Sequence, residues 1–144
     1  MRLPALAGGV IIVRYKTNHG AIEILYGIKR GGSKEEGKRT ICFAKKYDPK
    51  FGDLKDAALA GVLEKVSANI VKHLGPLRPL TSYNDNPRAR TIVYFSEYRG
   101  RDDVFPDNKY VSHLAFATVR AISTERRRLA YDQGAMLDKL IKAL

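Results

Sequence analysis

An α/β/α sandwich built on a mixed β-sheet is the fold class this sequence predicts, and three observations predict it. The run Val10-Ile11-Ile12-Val13 and the run Thr91–Phe95 are β-branched and aromatic, as strands are. Between them lies a helical segment, Asp53–Val66, with apolar residues at helical spacing. A second helical segment closes the chain from about Ser123 onward. Strands on both sides of one helix, with another helix at the end, pack most simply as a sheet covered on both faces.

The elements follow in order. Gly8 to Tyr15 reads as a buried strand, because four consecutive β-branched residues leave no polar face. Thr17-Asn18-His19-Gly20 reads as a turn, Asn and Gly accepting the left-handed conformations a reversal needs. Ala21 to Ile28 returns as a second strand, with Ile22, Ile24 and Tyr26 on one face. Lys29 to Arg39 holds Gly31, Gly32 and Gly37 and the basic side chains Lys29, Arg30, Lys34, Lys38 and Arg39, a loop with nothing to bury. Thr40 to Ala44 is a short apolar segment, and Lys45 to Gly52 reads as loop. Asp53 suits a helix N-cap, its carboxylate accepting from amides of the first turn. Leu59, Val62, Leu63 and Val66 form the apolar stripe of that helix, extended by Ala58 and Ile70. Gly61 costs about 1 kcal/mol of helix propensity against alanine, so either something packs closely there or a side chain has become dispensable.

In the second half, Gly75-Pro76 ends the segment after the helix, and Thr81 to Arg90 reads as turn or exposed loop through Asn84, Asp85, Asn86 and Pro87. Thr91 to Tyr98 is a strand with Ile92, Tyr94 and Ser96 on one face and Val93, Phe95 and Glu97 on the other. Arg99 to Asn108 is charged loop, and Val111 to Phe116 is a further strand. Leu129, Met136, Leu137, Leu140, Ile141 and Leu144 supply the apolar side of the terminal helical region, with Gly134 marking a break within it.

The totals bound the function. The 144 residues suit one domain spanning 1–144 with one sizeable core. A net charge of +11, with 14 basic and 7 acidic side chains in residues 1–72 and 12 and 8 in residues 73–144, is spread through the chain and favours an anionic partner. The single cysteine, Cys42, rules out an internal disulfide and argues against a thiolate metal site. Leu3 to Val13 is too short to span a membrane, so we expect no membrane association and an intracellular setting, cytoplasmic or organellar matrix. His19, His73 and His113 lack ligand spacing, and neither Gly8-Gly9 nor Gly31-Gly32 leads into a phosphate-loop Lys-Ser/Thr.

One stretch carries more. Phe43-Ala44-Lys45-Lys46, then Gly52-Asp53, then Asp56-Ala57-Ala58-Leu59-Ala60-Gly61-Val62-Leu63-Glu64-Lys65 resembles the signature region of the Nudix hydrolases, nearest the branch that cleaves dinucleoside polyphosphates. That branch has Phe-Pro-Lys-Gly, Gly-Glu and Glu-Ala-Ala-Leu at the matching places, followed by Arg-Glu-aliphatic-x-Glu-Glu-x-Gly. Thr91–Phe95, Val111–Phe116 and Thr118–Ile122 resemble the family's later strands and short helix, so the likeness runs from Gly8 to about Leu140. It implies a Nudix-like α/β/α sandwich. The departures fall on the chemistry: Ala60 stands for the Arg, Gly61 for the first Glu, Lys65 for the last Glu and Ser67 for the Gly, while Val62 and Glu64 match. Magnesium wants several oxygen ligands in near-octahedral order, and one Glu does not supply them.

The reading favoured by these residues is a non-catalytic Nudix-like domain, a pseudoenzyme in an RNA or ribonucleoprotein, including ribosomal, context. No catalytic residue and no cofactor is assigned in that reading. Its candidate phosphate contacts are Lys45, Lys46 and Lys50, with Tyr47 or Phe51 stacking on a base, and the exposed block Arg126, Arg127 and Arg128. Arg88, Arg90, Arg99 and Arg101 extend the surface at both ends of the Thr91–Tyr98 strand. The alternative is a magnesium-dependent nucleoside or dinucleoside polyphosphate hydrolase, with Asp53 and Glu64 assisting a metal completed by acids such as Glu97, Asp102 or Asp103. A protein-interaction scaffold is the third reading.

Overall fold

The computed structural model describes residues 5–16, 20–86 and 89–144. His19, with most of the turn expected at Thr17–Gly20, lies outside the described residues, as do Pro87 and Arg88. The chain runs β1 (Ala5–Lys16), β2 (Ala21–Lys29), β3 (Arg39–Thr40), β4 (Cys42–Lys46), α1 (Leu54–Lys65), α2 (Ala68–Lys72), β5 (Arg78–Asn86), β6 (Ala89–Glu97), β7 (Val111–Thr118), α3 (Val119–Thr124) and α4 (Gln133–Ala143), with 3-10 turns at Pro49–Phe51 and Arg126–Arg128. No described helix is long and apolar enough to cross a membrane.

The described strands form one mixed seven-stranded sheet. β1 lies at its centre and pairs in parallel with β6 from Ala5↔Ala89 to Val13↔Glu97. Its other edge is shared: Ala7–Ile11 pair with β4 and Val13–Lys16 pair with β2, both antiparallel. β2 also carries β3 and β7, and β5 closes the far edge beside β6. Side chains alternate along each strand, so β1 and β6 feed two cores. Val10, Ile12, Tyr94 and Leu25 pack with Ala58, Val62 and Ile70 beneath α1 and α2. Ile11, Val13, Val93 and Phe95 pack with Ile122, Met136, Leu137 and Leu140 of α3 and α4. This is the expected sandwich with a mixed sheet.

Asp53 caps α1 as expected and completes a capping box: its carboxylate accepts from the Asp56 N–H at 2.9 Å, and the Asp56 carboxylate accepts from the Asp53 N–H at 2.9 Å. The buried face of α1, however, is Ala58, Gly61 and Val62, and Leu63 is 54% exposed. The reason is close packing of backbones. A Cβ on Gly61 would lie 2.8 Å from the Ala44 carbonyl carbon, and a Cβ on Gly8 would lie 2.6 Å from the Leu54 carbonyl oxygen. With no side chain at either position, α1 rests directly on β1 and β4, and the helix is rotated so that its small residues face the sheet. Gly61 is therefore a contact point.

Three further expectations need correction. Thr81–Asn86 is strand: it pairs with β6 at the sheet's edge, where only one side of a strand needs partners. Pro79 and the polar side chains are tolerated on such an edge, and Leu80 and Tyr83 pack against the α4 core. The expected loop from Lys45 is shorter, because β4 continues through Lys46 in register with Ala7. At the C-terminus the helical region starts ahead of Ser123, at Val119, where the resemblance implied a short helix over Thr118–Ile122; Thr118 caps α3 by accepting from the Ala121 N–H at 3.1 Å. The break falls at Leu129–Asp132, ahead of Gly134, because buried Leu129 and Ala130 enter the core and the Ala130 N–H donates to the Arg39 carbonyl at 2.7 Å.

Candidate anion-binding site

Between β3 and β4 the chain crosses from the edge of β2 to the edge of β1, with only Ile41 separating the two strands. A cavity of about 350 Å³ opens along this crossing. Its wall combines Thr40, Cys42, Phe43, Ala44, Lys45 and Lys46 with Lys29 and Arg30 at the end of β2, Glu64 and Lys65 at the end of α1, Tyr83 and Thr91 from β5 and β6, Tyr110 and Val111 at the start of β7, and Tyr131 and Gln133 before and within α4. Among the described residues, five cationic side chains thus face one carboxylate, with three tyrosines among them.

The polar geometry at the end of α1 is specific. The Lys65 ammonium donates to the Ala44 carbonyl and sits 5.7 Å from the Tyr110 ring centroid. Burial, and then the charge of Lys29, hold the Lys65 ammonium below the ordinary lysine range. Its neighbour Glu64 accepts from the Lys45 ammonium at 2.6 Å. That bond, and then the Tyr110 side chain, hold the Glu64 carboxyl below the usual carboxylate range, and the same bond raises Lys45.

Neighbouring groups hold this wall in place. Asn108 donates to the Lys65 carbonyl at 2.8 Å and accepts from the Tyr110 and Val111 N–H groups, while Arg30 donates to the Asn108 carbonyl at 2.9 Å. Tyr131 has φ of +51°, rare for a bulky residue, and its ring lies 4.7 Å from the Lys29 ammonium at the cavity's edge. Buried Gln133 accepts from the Ile41 N–H at 2.8 Å and donates to Thr40 Oγ1 at 3.1 Å, tying α4 to the crossing. Gln133→Leu should therefore cost about 1–3 kcal/mol, since it strands a buried N–H. Urea unfolding checks this, with a lower midpoint expected at unchanged slope.

Of the residues the sequence singled out, the cavity gathers Lys45, Lys46 and Glu64. Tyr47 and Asp53 lie instead in a neighbouring, more apolar groove with Pro49 and Phe51, which shares Lys45 and Lys46 with the cavity; Phe51 is 82% exposed. Lys50 is exposed in the 3-10 turn, its N–H donating to Asp48. Arg126–Arg128 lie outside both. Arg126 donates to both carboxylate oxygens of Asp138 at 2.9 and 2.8 Å, Arg128 pairs with Glu125 at 3.7 Å, and Arg127 is exposed. Much of that block's charge is thus balanced within the chain. His73 stands edge-on to Tyr98, and His113 lies beside Ser112, so neither enters the cavity. Cys42 is buried in the wall.

The resemblance implies magnesium, and the donor set does not fit it. Asp53 caps the start of α1, about 16 Å along the helix axis from Glu64 at 1.5 Å per residue. Glu64 already accepts from Lys45, and the Lys65 ammonium holds the Ala44 carbonyl. Glu97 accepts from Arg99 and Asp103 pairs with Arg14, and among the described residues no three His, Cys, Asp or Glu side chains gather as a metal site. The contributions of Lys29, Arg30, Tyr83, Tyr110, Tyr131 and Gln133 escaped sequence reading. They come from four separate segments, and only the basic run at Lys29–Arg39 signalled any of them.

No protein-family model and no curated protein sequence matches the chain. Solved structures do. The NUDIX domain of Shewanella oneidensis NrtR, complexed with ADP ribose, superposes with a TM-score of 0.73 at 12% identity, over 99% of this chain and 90% of that one. A C. elegans Ap4A hydrolase in a binary complex gives 0.68 at 17% identity, over 94% and 96%. A mutT/nudix family protein from Listeria innocua gives 0.67 at 18%, over 99% and 95%. Identities this low speak for the fold alone, and the fold of this chain is the Nudix-like α/β/α sandwich.

Proposed function

We propose that this chain binds nucleotide phosphates in the cationic cavity and does not hydrolyse them. The observation that carries this reading is the Lys65 ammonium on the Ala44 carbonyl, an internal cation where the resemblance puts a metal-binding carboxylate. Lys29, Arg30 and Lys46 stand beside it for phosphate oxygens, and Arg30 offers the forked donors that such oxygens match. Tyr131 at the edge supplies a ring for a base. The ADP ribose bound by the NrtR domain of similar fold supports a ligand with a nucleoside and phosphates.

RNA carries the same phosphates, and the charge of +11 supports an RNA or ribonucleoprotein setting for the same surface, with Lys45, Lys46 and Lys50 and the Tyr47–Phe51 groove beside the cavity. Calorimetric titration of ADP, ATP and a short single-stranded RNA across a salt series tests the reading. Saturable nucleotide binding that weakens with salt is expected. Binding of RNA without nucleotide would move the ligand to the open surface, and binding of neither would favour a protein-interaction scaffold. A second reading has support from the C. elegans Ap4A hydrolase of similar fold: hydrolysis of nucleoside or dinucleoside polyphosphates, in the dinucleoside branch that the sequence resembles. Turnover of a dinucleoside tetraphosphate with magnesium or manganese, lost in Glu64→Gln, would replace the first reading with this one.

A further inference from the structure

We propose that the cavity takes nucleotide polyphosphate in its metal-free form, so that Mg²⁺ opposes binding instead of assisting it; this rests on the nucleotide reading above. In a metal-dependent site the cation bridges protein carboxylates and phosphate oxygens. Here chain ammoniums already occupy oxygens on the protein side of such a bridge. The carbonyl of Ala44 accepts from an ammonium that belongs to the chain, and that ammonium reaches it from the buried end of α1. Among the described residues the one carboxylate in the wall is Glu64, and it accepts from Lys45 at 2.6 Å. A divalent cation shared with a ligand would have to displace chain ammoniums from these two oxygens.

The charges decide the sign. Lys65 shares the cavity wall with Lys45, Lys29, Lys46 and Arg30, a positive wall against a single negative group among the described residues. Such a wall attracts a polyphosphate in proportion to its negative charge, and a bound Mg²⁺ removes two of those charges. The complexed ligand also brings a hydrated dication into a field of like sign, where partial burial reduces screening. Lys65 thus acts as a built-in counter-ion that selects the uncomplexed anion. A ligand that holds Mg²⁺ weakly, such as a nucleoside monophosphate, is indifferent to the metal.

The test uses the full chain and a β,γ-methylene analogue of ATP, titrated at equal ionic strength in EDTA and in excess Mg²⁺. Affinity is expected to fall about ten-fold in Mg²⁺, with AMP changing less than about two-fold. Equal or tighter binding of the analogue in Mg²⁺ overturns the proposal and leaves the nucleotide reading intact. Absence of binding in both buffers overturns the two together. Saturable binding of Mg²⁺ alone to the protein also overturns the proposal, because it requires a carboxylate site that Lys45 and Lys65 are argued to close. In Lys65→Met, the affinity in EDTA is expected to drop about ten-fold and the difference between the buffers to shrink; persistence of the full Mg²⁺ effect would remove Lys65 from the explanation. Circular dichroism confirms that this variant is folded, and the wild-type comparison stands without it.

Discussion

Gly61→Glu should destabilise the chain by about 3 kcal/mol or more and restore no metal site. The substitution writes back the residue that the Nudix resemblance implies, yet a Cβ at this position would lie 2.8 Å from the Ala44 carbonyl carbon and 3.0 Å from the Lys45 nitrogen. Backbone atoms cannot rotate away as side chains do, so α1 must lift from β4 and loosen the core around Ala58 and Val62. A loss of that size is a large fraction of the 5–15 kcal/mol that stabilises an ordinary domain. Gly61→Ala isolates the steric part. Alanine favours the helix by about 1 kcal/mol, so any net loss in that variant measures the contact. Urea unfolding of both variants checks the expectation. A gain of about 1 kcal/mol in Gly61→Ala, the whole helix-propensity benefit, would mean that α1 does not rest on β4, and magnesium-stimulated turnover in Gly61→Glu would refute the expectation that no metal site is restored.

Lys65→Met should have the opposite effect on stability while weakening phosphate binding about ten-fold. Burial disfavours the Lys65 charge, and Lys29 and Lys45 disfavour it further. Methionine of similar length removes that cost, for a gain of about 1 kcal/mol and a rise in Tm of about 2–4 °C. The pH dependence has a definite sign. The folded state holds the Lys65 proton less tightly than the unfolded chain, so stability rises with pH from the lowered folded value up to the ordinary lysine value. The variant loses that rise. Phosphate binding runs the other way in the wild type, falling as Lys65 sheds its proton, ahead of exposed lysines. Thermal scans and nucleotide titrations between neutral and alkaline pH check both, and a lower Tm in the variant would show that the Ala44 hydrogen bond outweighs the burial.

How much of this was legible in the sequence depends on how local the signal was. β1, β2, β6 and β7 were readable because β-branched and aromatic residues cluster there, and the face assignments of Ile92, Val93, Tyr94 and Phe95 follow from simple alternation. Asp53 announced a helix start through chemistry confined to one turn. Along the α1 stripe Ala58, Val62, Val66 and Ile70 are core as expected, and only Leu63 was misassigned, because a hydrophobic pattern ranks it above Gly61 whereas the sheet selected for smallness. β5 was hidden because its polar residues are those of an edge strand, whose identity depends on β6. At the site, Lys45, Lys46 and Glu64 came from one resemblance-bearing stretch. Tyr83, Tyr110, Tyr131 and Gln133 were invisible for the opposite reason: each is an ordinary residue whose role arises only when distant segments meet.

The shared edge of β1 has a consequence for how this architecture changes over time. Because β1 hands its partners over from β4 to β2 partway along its length, the two neighbours diverge and leave a fork in the sheet. The hollow in that fork is made by strand topology, and the side chains around it are upholstery on a frame. Lys29, Arg30, Lys46 and Tyr131 come from the chain's outer turns and strand ends, so each can be exchanged without repacking either core. Ligand preference can therefore drift by single substitutions while the frame stays fixed, and a lineage can abandon one chemistry and acquire another without ever passing through an unfolded intermediate.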